Sequence, residues 1–135
     1  MGELVRECGL IPDVVISSDA VRARLTAEAV AAAAQFAGAI LLDPHLYMAC
    51  PPDILSLLRT VQENAETVMI VGHNPGLEEL AELLVGGGDA DAQELMAEKF
   101  PTGALAVFTF DVPHWADVAL GTGTLTYFIT PARLT

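Results

Sequence analysis

Two short segments carry residues whose types and spacing could hold an anion. The first is Ser17-Ser18-Asp19-Ala20-Val21-Arg22-Ala23-Arg24, where an N-cap serine opens a helix and Arg22 falls near its first turn. A cation there opposes the helix dipole, which favours negative charge at its N-terminus. The placement makes sense if an anion is held by both the free N–H groups and the guanidinium. A plainer reading pairs Arg22 with Asp19, and both stand at this point; Arg24 has an ordinary partner four residues on, Glu28. The second segment is Gly72-His73-Asn74-Pro75-Gly76. His73 follows an apolar run and precedes Asn74, an N-cap by type, and Pro75, suited to a first helical position. An imidazole beyond a strand end and beside a helix N-terminus can bind an oxyanion, or it can simply bond its own loop.

The remaining candidates are weaker. His45, in Asp43-Pro44-His45-Leu46-Tyr47, follows an apolar run and belongs to the same rim, whereas His114, before Trp115 in a late turn, reads as structural or exposed. No two histidines have helical metal-ligand spacing and neither Cys8 nor Cys50 lies near one, so a metal site is not expected. Gly86-Gly87-Gly88 lacks the Lys-Ser/Thr of a phosphate-cradling loop and reads as a turn.

The elements that must position these residues follow from the hydrophobic pattern. Short apolar runs at 13–17, 39–42 and 67–71 read as strands; helices are predicted over 19–36, from Pro51 through Val61, and over 77–85. In the first helix Val21, Leu25, Ala29, Ala32 and Phe36 form the inward stripe; in the last, Leu77, Leu80, Ala81 and Leu84 do, with Glu78, Glu79 and Glu82 outward. A short helix within 89–99 and strands at 104–110 and 123–130 complete the pattern. Residues 1–8 read as half of an amphipathic helix, with Leu4, Val5 and Cys8 inward, ended by Gly9. The expected fold is α/β, a three-layer sandwich around a mostly parallel sheet, with ligands gathering beyond the carboxyl ends of the strands. Both anion-binding segments sit at such ends.

Composition narrows the partners. The 135 residues, 53% hydrophobic and with a net charge of -12, describe one acidic globular domain over 1–135. Six scattered cations make no basic stripe, so nucleic acid is excluded as a partner. The longest weakly polar stretch, 29–42, is too short to span a membrane, and residues 1–7 lack a signal-peptide pattern. Two cysteines without CxxC spacing suit free thiols in a cytoplasmic protein.

Four blocks, in order along the chain, resemble the histidine phosphatase (phosphoglycerate-mutase-like) superfamily, and within it the SixA-type phosphohistidine phosphatases. They are the segment from Ser17 to Glu28, Leu46-Tyr47, Val71-Gly72-His73-Asn74-Pro75-Gly76-Leu77-Glu78-Glu79-Leu80, and Phe100-Pro101-Thr102-Gly103-Ala104. The resemblance implies hydrolysis of a phosphoryl group from a protein histidine through a phosphohistidine intermediate. It makes Arg22 and His73 the catalytic pair that holds the phosphoryl oxygens, with Ser18 and Asn74 as further phosphate-binding residues. It also implies a phosphorylated partner protein of histidine-phosphotransfer or phosphocarrier type, or a small phosphate ester. The resemblance implies that no metal or other cofactor is needed, because phosphoryl transfer of this kind rests on positioning and charge stabilisation.

Two departures qualify what is carried over. The family's nucleophile lies in an Arg-His dipeptide at the end of its first, central strand, and no Arg-His dipeptide occurs here: His45, His73 and His114 follow Pro44, Gly72 and Pro113. The expectation is therefore a fold without that first strand, from a chain that starts late. Its sheet would carry unpaired ladders and an apolar groove, open to completion by a strand from a partner or a second copy. Many relatives place a glutamate after the Leu-Tyr pair as proton donor; Met48 stands there, leaving His45 or Asp43 for the role unless none is needed. As written, the chain is expected to bind phosphate without turnover, either as part of an active longer form or as a noncatalytic binding or interaction module.

Overall fold

The computed structural model describes residues 1–131. After α1 (Gly2–Glu7) come β1 (Val14–Ser17), α2 (Val21–Ala33), β2 (Ile40–Leu42), α3 (Pro51–Arg59), β3 (Val68–Val71) and α4 (Gly76–Leu84). Then follow β4 (Val85–Gly88), α5 (Ala90–Glu98), β5 (Leu105–Thr109) and β6 (Gly123–Ile129). The strands form two three-stranded sheets, β2-β1-β3 and β4-β6-β5. Three of the four pairings are parallel, and only β5 runs antiparallel to its partner β6. This is the mixed α/β, mostly parallel architecture expected from the alternating runs.

In the first sheet, β1 is central and buried, as its unbroken apolar sequence requires. Asp13 fixes the entry: its carboxylate accepts the Glu66 and Thr67 N–H groups at 2.8 and 2.9 Å, bringing the start of β3 beside β1. Ile16 packs with Leu46, Ile54, Leu58, Leu80 and Val118 in the larger apolar cluster, which α3 and α4 cover. A second cluster joins Ala81 of α4 to Ala92 and Met96 of α5 and to Leu125 and Phe128 of β6.

Two expectations are corrected. In α2 the buried face is Ala23, Ala27, Ala31 and Ala34 just beyond it, while Val21 and Leu25 are 61% and 53% exposed. Small residues win because they let the helix lie close to its neighbours: a Cβ on Gly2 of α1 would collide with the Val30 carbonyl and the Ala33 side chain. The glycine trio is not a turn but most of β4. Its glycines pass close to neighbouring backbone, since a Cβ on Gly86 would strike the Gly121 carbonyl and one on Gly88 the backbone of Leu125.

Candidate functional site

The carboxyl ends of β1 and β3 lie side by side, with Ser17 paired to Val71 and the Ser18 N–H donating to the Val71 carbonyl at 2.9 Å. Each chain then turns into a helix, so Ser18 and His73 meet across the rim. Ser18 is fully buried, and its Oγ accepts the Ala20 N–H at 3.2 Å and lies 2.8 Å from His73 Nε2. The ring of Tyr47 stands edge-on to that of His73, with centroids 5.3 Å apart and planes at 83°. The imidazole is thus oriented from two sides by residues of separate loops.

Arg22 occupies the first turn of α2, four residues beyond Ser18, and is exposed. Its carbonyl accepts the Thr26 hydroxyl at 2.9 Å, but its guanidinium forms no ion pair or hydrogen bond among the described residues, so the pairing with Asp19 is not formed. Arg24 behaves as the spacing indicates, with Nε 3.7 Å from Glu28 Oε1. The helix caps differ from expectation. The N-cap of α2 is Ala20, because Ser18 lies two residues too early, and the one helix-entry N–H its side chain meets is that of Ala20. The amide of Asn74 donates instead to the Phe100 carbonyl at 3.1 Å, so Pro75 takes the cap position of α4 and Gly76 begins the helix.

The structure therefore brings Ser18 and His73 together, sets Arg22 on the adjacent helix start, and turns the Asn74 side chain towards the second sheet. It does not join His45 to them: that side chain is 92% exposed and its Nδ1 lies 3.0 Å from Asp43 Oδ1. His114 lies 3.2 Å from Glu63, beyond the amino-terminal end of β3. Beside His73 is a hollow of about 150 Å³ lined by Met48, Cys50, Asn74 and Glu79, among others. Met48 contributes a positive φ of 57° and an exposed side chain. Glu79 is exposed, outward as the helical pattern predicts, and its place in the first turn of α4, where side chains lean back towards the preceding loop, also brings it to the hollow. Cys50 donates its S–H to Asp53 Oδ2 at 3.0 Å, and that bond, by stabilising the protonated thiol, pushes its pKa up. Among the described residues no group of acidic, histidine and cysteine side chains is arranged to hold a metal ion.

Chemically, the rim carries an oriented imidazole and, on the adjacent helix start, an exposed guanidinium, residue types that suit an oxyanion. No helix among the described residues is long and apolar enough to cross a membrane.

No family model matches the chain. The uncharacterized protein Rv1276c of Mycobacterium tuberculosis (strain ATCC 25618 / H37Rv) is 37% identical over 123 residues, 88% of this chain and 73% of the relative. The uncharacterized protein ML1117 of Mycobacterium leprae (strain TN) is 29% identical over 120 residues, 87% and 70% of the two chains. Among solved structures, a protein assigned as phosphohistidine phosphatase SixA from Nakamurella multipartitia superposes with a TM-score of 0.80 at 26% identity, covering 96% of this chain and 77% of that one. A protein with the same assignment from Agrobacterium tumefaciens gives 0.74 at 29% identity, with the same coverage. The protein histidine phosphatase SixA complexed with tungstate gives 0.76 at 20% identity over 99% of this chain and 78% of that one, a likeness of fold.

Proposed function

We propose that the chain, whose fold matches those of SixA-type phosphohistidine phosphatases of the histidine phosphatase superfamily, supplies the phosphoryl-holding part of such a phosphatase, with the phosphohistidine of a partner protein as substrate. The observation that carries this reading is the 2.8 Å approach of His73 Nε2 to buried Ser18 at the carboxyl ends of adjacent parallel strands, next to a helix start bearing an unpaired arginine. Arg22 and His73 are the phosphate-contacting residues in this reading. The guanidinium neutralises charge on the phosphoryl oxygens and the imidazole donates to one of them. Ser18 and Asn74 act as positioning residues, since Ser18 is closed off from solvent and the Asn74 amide is held by Phe100.

Residues 1–135 belong to a single domain whose amino-terminal part they lack, and by themselves they bind the phosphoryl group without hydrolysing it, because neither His45 on Asp43 nor His114 on Glu63 is placed beside His73 as a nucleophile. Titration with vanadate tests this. Arg22→Ala and His73→Ala should each weaken vanadate binding by about tenfold to a hundredfold, the worth of one hydrogen bond to a charged group. Equal binding by the protein and both variants removes the pocket, and turnover of an aryl phosphate by the unaltered chain means that another residue is the nucleophile.

A further inference from the structure

A groove of about 720 Å³ between the edges of β3 and β5 belongs to the sheet layer itself. The hollow beside His73 is of a different kind: it lies at the rim, holds about 150 Å³ and shares the His73 side chain with the anion site. Its sides come from two stretches of chain. Met48, Ala49 and Cys50 lead into α3, while Pro75, Gly76 and Glu79 form the start of α4. The two are pinned together, because Gly76 lies so close to the Ala49 carbonyl that a Cβ there would collide with it. The hollow is therefore shaped before any ligand arrives.

Size and lining restrict what fits. A cavity of about 150 Å³ admits a single ring of benzene size, whereas an extended ligand needs about 300 Å³ or more. Met48 offers a polarisable thioether, which packs well against ring edges, and Ala49 and Pro75 add apolar surface. Most polar groups of the lining are engaged elsewhere. Cys50 donates to Asp53, the Asn74 amide donates to Phe100, and His73 Nε2 meets Ser18. Glu79 keeps an exposed carboxylate with no hydrogen bond or ion pair among the described residues. A carboxylate only accepts hydrogen bonds, so the ring it suits carries an N–H. Asp53, 3.0 Å from the Cys50 sulfur, adds negative charge nearby, which favours a ring that is itself protonated.

Resting on the phosphate-holding reading of Arg22 and His73, we propose that the hollow seats the ring of a phosphorylated imidazole, with Glu79 accepting a hydrogen bond from its unphosphorylated nitrogen. Glu79 is then a specificity-determining residue. A phosphorylated imidazole has one nitrogen bonded to phosphorus and a second that, once protonated, is free to donate. With the phosphoryl group beside His73, the directly attached ring enters the adjoining space. Phenyl phosphate fills the same space but presents only C–H groups to the carboxylate, which then loses water without gaining a partner. A phosphorylated serine brings no ring at all.

The probes are N-phosphoimidazole, phenyl phosphate and vanadate, titrated against the chain by NMR. Phosphoimidazole should bind about tenfold more tightly than phenyl phosphate, the worth of one hydrogen bond to a charged group. Its ring protons should show a nuclear Overhauser contact to the Met48 methyl group. Glu79→Gln, at an exposed position, should erase the tenfold preference. Glu78→Gln makes the same change in net charge one residue away, outside the hollow's lining, and should keep the preference. Vanadate affinity should move by no more than about twofold in either variant. The proposal is overturned if Glu79→Gln retains the preference, if Glu78→Gln loses as much of it, or if the ring makes no contact with Met48. Those results leave the phosphate-holding reading standing, whereas vanadate binding that is indifferent to Arg22→Ala and His73→Ala removes both.

Discussion

The two half-sheets use the same number of strands for different ends. The first, β2-β1-β3, is wholly parallel, and its strand ends deliver Ser18 and His73 into one rim. The second, β4-β6-β5, contains a glycine strand and one antiparallel pairing, and its contribution to that rim is the Phe100 carbonyl that holds Asn74. The first half gathers chemistry because parallel strands send all their carboxyl ends the same way. The second gains close backbone packing around Leu125 and acts as a buttress.

The sharpest break of this comparison falls on the buttress. Gly88 has φ 126° and no room for a side chain against Leu125, whereas a Cβ on Gly87, one residue earlier, meets nothing. Gly88→Val should cost about 3 kcal/mol or more, and Gly87→Ala no more than about 1 kcal/mol, in urea denaturation. Similar losses at both positions would mean that β4 does not lean on β6. The next effect tests the face of α2 in the first half. Ala27 is fully buried and Leu25 largely exposed, so Ala27→Leu should cost about 1–3 kcal/mol by overpacking and Leu25→Ala within about 0.5 kcal/mol. The reverse order would restore the Val21 and Leu25 stripe as the inward face.

That face shows where sequence pattern stops. The strands at Val14, Ile40 and Val68 and the helices opening at Pro51 and near Gly76 were legible because short apolar runs and proline act locally. Residues 1–8 hold a helix, as their pattern predicts, with Val5 of the inward trio buried and Leu4 and Cys8 half-buried. On α2 the choice between an aliphatic stripe and an alanine stripe depended on how near α1 must come, which no local periodicity contains. β4 was misread for the same reason: three glycines signal a turn unless a second backbone lies against them. At the rim, the types of Arg22 and His73 were informative because each is unusual where it stands. The partner of Asn74, 26 residues away, was not, and neither was the place of Glu79 beside the hollow.

The Asn74 tether is the point at which the halves can be uncoupled gently. The bond to Phe100 is exposed, so Asn74→Ala should cost only about 0.5–1.5 kcal/mol. It should also loosen vanadate binding several-fold through His73, whose loop it anchors, while Gly87→Ala leaves that binding intact. Unchanged vanadate affinity in Asn74→Ala would make the rim independent of the second half.

The smallest effect uses the two thiols as reporters, Cys8 lining the groove and Cys50 lining the hollow beside His73. The hydrogen bond to Asp53 raises the Cys50 pKa by favouring its protonated form, so this exposed thiol is slower to alkylate near neutral pH than its accessibility suggests. Asp53→Ala removes that bond and lowers the pKa, putting more thiolate in solution at any pH below it. A thiolate of lower pKa is also a weaker nucleophile, which cancels about half of the gain in logarithmic terms, so alkylation should quicken only by about two- to fivefold. The midpoint of the rate–pH curve should move to lower pH, with Cys8 unchanged. Vanadate held at His73 should slow Cys50 and leave Cys8 alone, whereas equal protection of both would place the anion outside the rim.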